Sequence, residues 1–174
     1  MFTLLNNIRN KIVDSNTFKT SVLLLGIDGC GKTTLKEAIC QFANPARKPK
    51  MVIPTFGLNT ELIKDGKVQV RIWDLSGKET FRSIWNDYLK EAESVIYIVN
   101  GKQNERIHES RKTYDDILCK FNRKIAIIFL NCDKNILDVF PSVDRANAFF
   151  FVDMKNSENI QKVYLWIKGN AKKD

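Results

Sequence analysis

Five short apolar runs, Ser21 to Leu25, Val68 to Trp73, Val95 to Val99, Ile125 to Leu130 and Phe149 to Val152, are separated along the chain by amphipathic stretches. Several are continuously apolar, which suits strands covered on both faces. Between them, Lys32 to Phe42 and Arg106 to Phe121 repeat apolar residues at helical spacing, and near the end Ile160, Val163, Tyr164 and Ile167 share one helical face. Strand and helix patterns in alternation predict a three-layer α/β domain built on a mostly parallel sheet. Asp65-Gly66, lying between Leu58 to Lys64 and Lys67 to Asp74, is a hairpin signal that adds a sixth strand and one antiparallel pair at the edge.

The first residues have a pattern of their own. Phe2, Leu5, Ile8 and Ile12 recur near helical spacing beside Arg9 and Lys11, so residues 1–14 are expected to form an amphipathic helix ahead of a domain over 18–174. Such a helix could lie on a membrane or pack on the protein's own body. Phe at position 2 excludes N-myristoylation.

Composition narrows the class further. With 174 residues, 44% hydrophobic, the chain can bury one core, and no linker or internal repeat supports a second domain. A formal net charge of +8 favours acidic ligands or membrane surfaces, or is simply a solvated basic face; nucleic acid is not an expected partner. Cys30, Cys40, Cys119 and Cys132 lack zinc or disulfide spacing, which points to reduced thiols in the cytosol. His108 has no metal partner nearby and reads as a surface residue. No run approaches the roughly 18 to 20 apolar residues that cross a bilayer, and no secretory signal is seen.

Gly26-Ile27-Asp28-Gly29-Cys30-Gly31-Lys32-Thr33 matches G-x-x-x-x-G-K-[ST] between a strand and a helix. In that context the backbone amides of Asp28, Gly29, Cys30, Gly31, Lys32, Thr33 and Thr34 can curl around a polyphosphate at the positive end of the helix. Lys32 is expected to reach the terminal phosphates, and the Thr33 hydroxyl to bind Mg²⁺. At the end of the third strand stands Asp74-Leu75-Ser76-Gly77, where a carboxylate can hold the metal's water shell and a glycine amide can approach the γ-phosphate. Thr55, in Pro54-Thr55-Phe56-Gly57, offers oxygen to the same ion from a mobile segment. Both groups lose a ligand when the γ-phosphate leaves, which is the logic of a nucleotide switch.

Taken in order, GIDGCGKTT, IPTFGLNTE, VRIWDLSGKETFRSIW and NSENIQKVYLWI resemble the Arf-like branch of the Ras-superfamily small GTPases over nearly the whole chain. FRSIWNDY, NERIHESR and MFTLLNNI are most similar to its lysosome-associated members. The resemblance implies a switch that binds GTP or GDP with Mg²⁺ and recruits effectors to a membrane in the triphosphate state, served by an exchange factor and a GTPase-activating protein. It implies metal roles for Thr33, Thr55 and Asp74, and an apolar effector surface at Leu58, Trp73 and Tyr88. Its location would be cytoplasmic and peripheral on an endomembrane, lysosomal or endosomal.

The sequence departs from that pattern twice. After Gly77 the family carries a glutamine that orients the attacking water, and here stands Lys78, a donor that cannot accept. Slow hydrolysis is expected, or else transition-state stabilisation by the ammonium in some complex. In place of N-K-x-D the chain has Asn131-Cys132-Asp133-Lys134, so a lysine would face the donors of guanine unless Asp133 substitutes. The last base-contacting loop aligns with Asp153-Met154-Lys155, which keeps a backbone amide and little else. Only residues 135–148 separate Lys134 from Phe149, so the fourth helix should be short or missing. Two alternatives stay open: a scaffold that binds nucleotide without cycling, and a small P-loop kinase, although no lid insertion or arginine cluster is found.

Overall fold

The computed structural model describes residues 17–173, so the expected amphipathic segment 1–14 lies outside the described residues. The chain runs β1 (Phe18–Leu25), α1 (Lys32–Ala43), β2 (Leu58–Asp65), β3 (Val68–Leu75), a 3₁₀ turn (Glu79–Ile84), α2 (Trp85–Glu91), β4 (Ser94–Asn100), a second 3₁₀ turn (Gly101–Arg106) and α3 (Ile107–Lys120). It continues through β5 (Lys124–Leu130), α4 (Ile136–Val139), a third 3₁₀ turn (Pro141–Arg145), β6 (Ala148–Val152), α5 (Ser157–Lys168) and β7 (Lys172–Lys173).

Strand order is β2-β3-β1-β4-β5-β6, parallel except for the β2–β3 hairpin and for β7, which pairs antiparallel with the start of β1. The sheet thus has one strand more than the six expected. Its extra member is two lysines held by Phe18 and Lys19, too short and too polar to leave a strand signature. In the hairpin Asp65 pairs with Val68, so the turn proper is Gly66-Lys67, with Gly66 in the left-handed region at φ +58°.

Side chains of the central strands alternate between two apolar clusters. Val22 and Leu24 of β1, Ile96 and Ile98 of β4, and Ala126 and Ile128 of β5 pack beneath α1 and α5, against Leu35, Ile39, Ile160 and Val163. Their neighbours Leu23, Val95, Tyr97, Ile127 and Phe129 face α2 and α3, against Trp85, Leu89, Tyr114 and Ile117. These are the three layers, and each fully buried aliphatic side chain contributes about 1.5–3 kcal/mol. The fourth helix is present but reduced to one turn, α4, followed by the 3₁₀ turn that places Phe140 and Val143 in the second cluster.

This layering fixes the working edge. Parallel strands β1, β3, β4 and β5 all end on the same side, so the loops after Leu25, Leu75, Asn100 and Leu130 crowd together there.

Candidate functional site

The loop from β1 into α1 is shaped by its glycines. Gly31 enters the helix at φ +103°, a conformation L side chains avoid. Lys32, nearly fully buried, folds back across the loop and donates to the carbonyls of Gly26 and Ile27, both at 2.9 Å. Cys30 turns inward instead of toward solvent. Its Sγ lies 3.7 Å from Lys32 Nζ, and burial raises its thiol pKa.

Three oxygen-bearing side chains from distant parts of the chain meet beside Lys32. Thr33 Oγ1 donates to Asp74 Oδ2 at 2.8 Å, Thr55 Oγ1 donates to the same oxygen at 3.1 Å, and the two hydroxyls are 2.8 Å apart. Asp74 is fully buried, and its Oδ1 has no hydrogen-bond partner among the described residues. An orphaned buried carboxylate oxygen beside two hydroxyls is a hard-donor set that fits Mg²⁺ and its water shell.

Gly77 closes the site from β3. A Cβ there would meet the Gly26 carbonyl oxygen and the Ile27 and Asp28 backbone within 2.5 Å, so only glycine allows this approach. The two segments that flank the site are joined: Ser76 N donates to Gly57 O at 2.8 Å, continuing the β2–β3 ladder past Leu58, and Trp85 Nε1 fixes Ser76 O at 3.0 Å. Lys78 is exposed and holds its ammonium 4.7 Å over the ring of Phe56, which meets Phe81 edge-on. Asp28, Gly29, Gly31, Lys32, Thr33, Thr34, Thr55, Gly77 and Lys78 line one cavity of about 290 Å³.

Residues expected to read a base are not gathered in that cavity. Asn131, Asp133 and Lys134 are all exposed. Asn131, at φ +50°, donates through Nδ2 to Asn100 Oδ1. Met154 reaches the end of the phosphate loop near Gly31, but the Lys155 amide is already taken by Asp153 Oδ1 at 2.9 Å. Of the three residues expected to form an effector surface, Leu58 is exposed, whereas Trp73 is only 8% exposed and packs edge-on against Tyr88.

Several contributors escaped sequence reasoning. Arg106 pairs with Asp28 Oδ1 at 2.8 Å and with Glu109, while Gln103 donates to Asp28 O. The Arg106 hydrogen bond holds the Asp28 carboxyl below its ordinary value, and the same guanidinium does so for Glu109. Arg82 completes the chain, donating to Gly77 O at 2.9 Å and pairing with Glu109. A run of charged residues between Lys102 and Arg111 was visible, but nothing in it showed which pairs cross to the phosphate loop. Lys36 is the other omission. It sits on the apolar stripe of α1, and a lysine at that spacing was a signal.

A doubly wound sheet, a glycine loop entering α1 and a carboxylate closing β3 define a P-loop nucleotide-binding domain of the small-GTPase type. Its fold is shared by a solved structure described as the Arl6 BBS3 small GTPase from Trypanosoma brucei with bound nucleotide analogue GppNp. The TM-score is 0.71 and the identity 16%, covering 87% of this chain and 96% of that one. The chain belongs to the ADP-ribosylation factor family, which it matches over residues 5–169.

Curated relatives share moderate identity. ADP-ribosylation factor-like protein 13B of Chlamydomonas reinhardtii is 28% identical over 161 residues, covering 92% of this chain but only 30% of that protein. ADP-ribosylation factor-like protein 8b of Arabidopsis thaliana is 25% identical over 162 residues, covering 86% of each. ADP-ribosylation factor-related protein 1 of Rattus norvegicus is 30% identical over 121 residues, 68% of this chain and 59% of that one.

Proposed function

We propose that the chain is a guanine-nucleotide switch of the Arf-like type that works at a membrane surface and hydrolyses GTP slowly. The observation that carries the reading is the meeting of Thr33, Thr55 and Asp74 within 3.1 Å beside Lys32. Thr55 comes from the segment before β2, so its arrival at the P-loop is the contact a metal–triphosphate pair would hold and its loss would release.

Mg²⁺ would be held by Thr33 and Thr55, with Asp74 behind its waters, and would supply charge neutralisation for the phosphates. Lys32 would exchange its two carbonyl partners for phosphate oxygens, and the Gly77 amide would face the γ-phosphate. The chain's own contribution to hydrolysis is weak. Lys78 stands after Gly77 with its ammonium committed to the Phe56 ring, and it has no lone pair to accept a proton from water.

Effector proteins would read the exposed Leu58 with the edges of Trp73 and Tyr88, beside the outward-facing Ile53, Phe56 and Leu62. An exchange factor and a GTPase-activating protein would act on the same switch, and the resemblance of FRSIWNDY, NERIHESR and MFTLLNNI to lysosome-associated Arf-like proteins supports a lysosomal or endosomal membrane. A second reading, a scaffold that binds nucleotide without cycling, draws on the ties between the two flanking segments, Lys78 over Phe56 and Ser76 to Gly57.

The test is direct. Nucleotide released by heat from the purified protein should be GDP or GTP on chromatography. Lys32→Ala and Thr33→Asn should each weaken triphosphate binding by at least about tenfold, or 1.4 kcal/mol. Unchanged affinity in both variants would remove the phosphate site, and equal competition by ATP would remove the guanine assignment.

A further inference from the structure

Burying a second ammonium, Lys36, in a helix face that also buries Lys32, Leu35, Ile39 and Cys40 is unfavourable unless a partner compensates it. Lys36 is 1% exposed, and its Nζ lies 3.9 Å from Asp74 Oδ2, the oxygen that also accepts the hydroxyls of Thr33 and Thr55. Its other neighbour is Glu37 Oε1 at 3.4 Å. Glu37 is itself engaged by Arg47, whose guanidinium reaches it at 2.6 Å and Glu61 at 3.3 Å. Glu37 is thus shared between two cations, and Lys36 is the one of the pair that also faces Asp74.

We propose that Lys36 is a resident counter-ion for Asp74 that weakens Mg²⁺ binding at this site, so that the P-loop retains nucleotide with little dependence on the metal. The inference rests on the nucleotide-binding reading above. Its physics is competition: a divalent cation brought to Asp74 meets a carboxylate whose charge is already offset, and it is repelled by a fixed positive charge screened little in a buried setting. Conversely, when no divalent ion is bound, Asp74 is not left as an isolated buried anion.

Release of a fluorescent guanine nucleotide is the measurement, made in excess Mg²⁺ and in EDTA. In the wild-type protein EDTA should speed release by less than about tenfold, and an acceleration of tenfold or more overturns the proposal without any variant. Lys36→Met keeps the length and removes the charge. Its half-saturating Mg²⁺ concentration for slowing release should fall at least about tenfold, corresponding to 1.4 kcal/mol, while Lys36→Arg should keep the wild-type midpoint. A folded Lys36→Met with an unchanged midpoint, or Lys36→Arg behaving as Lys36→Met, overturns the counter-ion role and leaves nucleotide binding intact. Failure of the wild type to bind nucleotide in either condition would overturn the switch reading and this inference together.

Discussion

A lysine and a glutamine reach similar distances but treat a water molecule differently, since an ammonium only donates and an amide does both. At position 78 the ammonium also has another occupation, the ring of Phe56, worth about 0.5–1 kcal/mol at an exposed site. Replacing it by glutamine should free Phe56 and restore a group able to orient the attacking water. Single-turnover phosphate release from GTP is therefore expected to run at least about tenfold faster in Lys78→Gln than in wild type, about 1.4 kcal/mol of barrier. An unchanged rate would mean that the residue after Gly77 does not position water in this chain. Substitutions of this kind were legible in the sequence, because Lys78 follows an intact D-x-x-G and Lys134 stands at the last position of the N-K-x-D pattern. Arg106 was not, since its partner Asp28 lies 78 positions away and only the fold brings the two together.

Between elements, one carboxylate ties the β2–β3 hairpin to α5 beside their shared apolar cluster. Asp65 Oδ2 accepts from Tyr164 Oη at 2.9 Å and from Lys168 Nζ at 2.7 Å. The Lys168 hydrogen bond, followed by that of Tyr164, holds the Asp65 carboxyl below its ordinary value. A carboxyl depressed in the folded state stabilises the fold at every pH above its unfolded value, near 4, and loses that contribution as pH falls through the lower folded value. The melting-temperature gap between wild type and Asp65→Asn should accordingly be constant from pH 5 to 8 and shrink toward pH 3. A gap that widens in acid would contradict the clamp. The hairpin itself was readable from Asp-Gly between two alternating runs, and the strands and long helices from their periodicity. The clamp was not, because nothing in Asp65 or Tyr164 alone marks them as neighbours. β7 was equally silent, being two lysines whose pairing depends on where α5 delivers them.

The proposed contact with a membrane belongs to the scale of the whole molecule. No helix among the described residues is long and apolar enough to cross one. Phe2, Leu5 and Ile8 together could contribute about 3–6 kcal/mol before ordering entropy and partial immersion are subtracted, so binding should be reversible. Liposome flotation of the full chain, of a 1–14 deletion and of Phe2→Ser/Ile8→Ser, each loaded with GDP and with a non-hydrolysable triphosphate, should show most flotation for the full chain in the triphosphate state. Equal flotation of all three would mean that these residues only pack on the fold, and loss of all binding in high salt would assign it to the basic surface.

The shortened α4 has a bearing on handling. Among the described residues β6 ends the sheet, and its run Ala-Phe-Phe-Phe-Val leaves Phe149 47% exposed with no further described strand to pair its outer edge. Charge and proline, the usual guards of such a border, are missing from the strand itself. Any condition that loosens the turn over β5 and β6 presents a sticky aromatic ribbon to its neighbours. Crowded preparations of this protein should therefore cloud from that flank before the nucleotide end of the sheet comes apart.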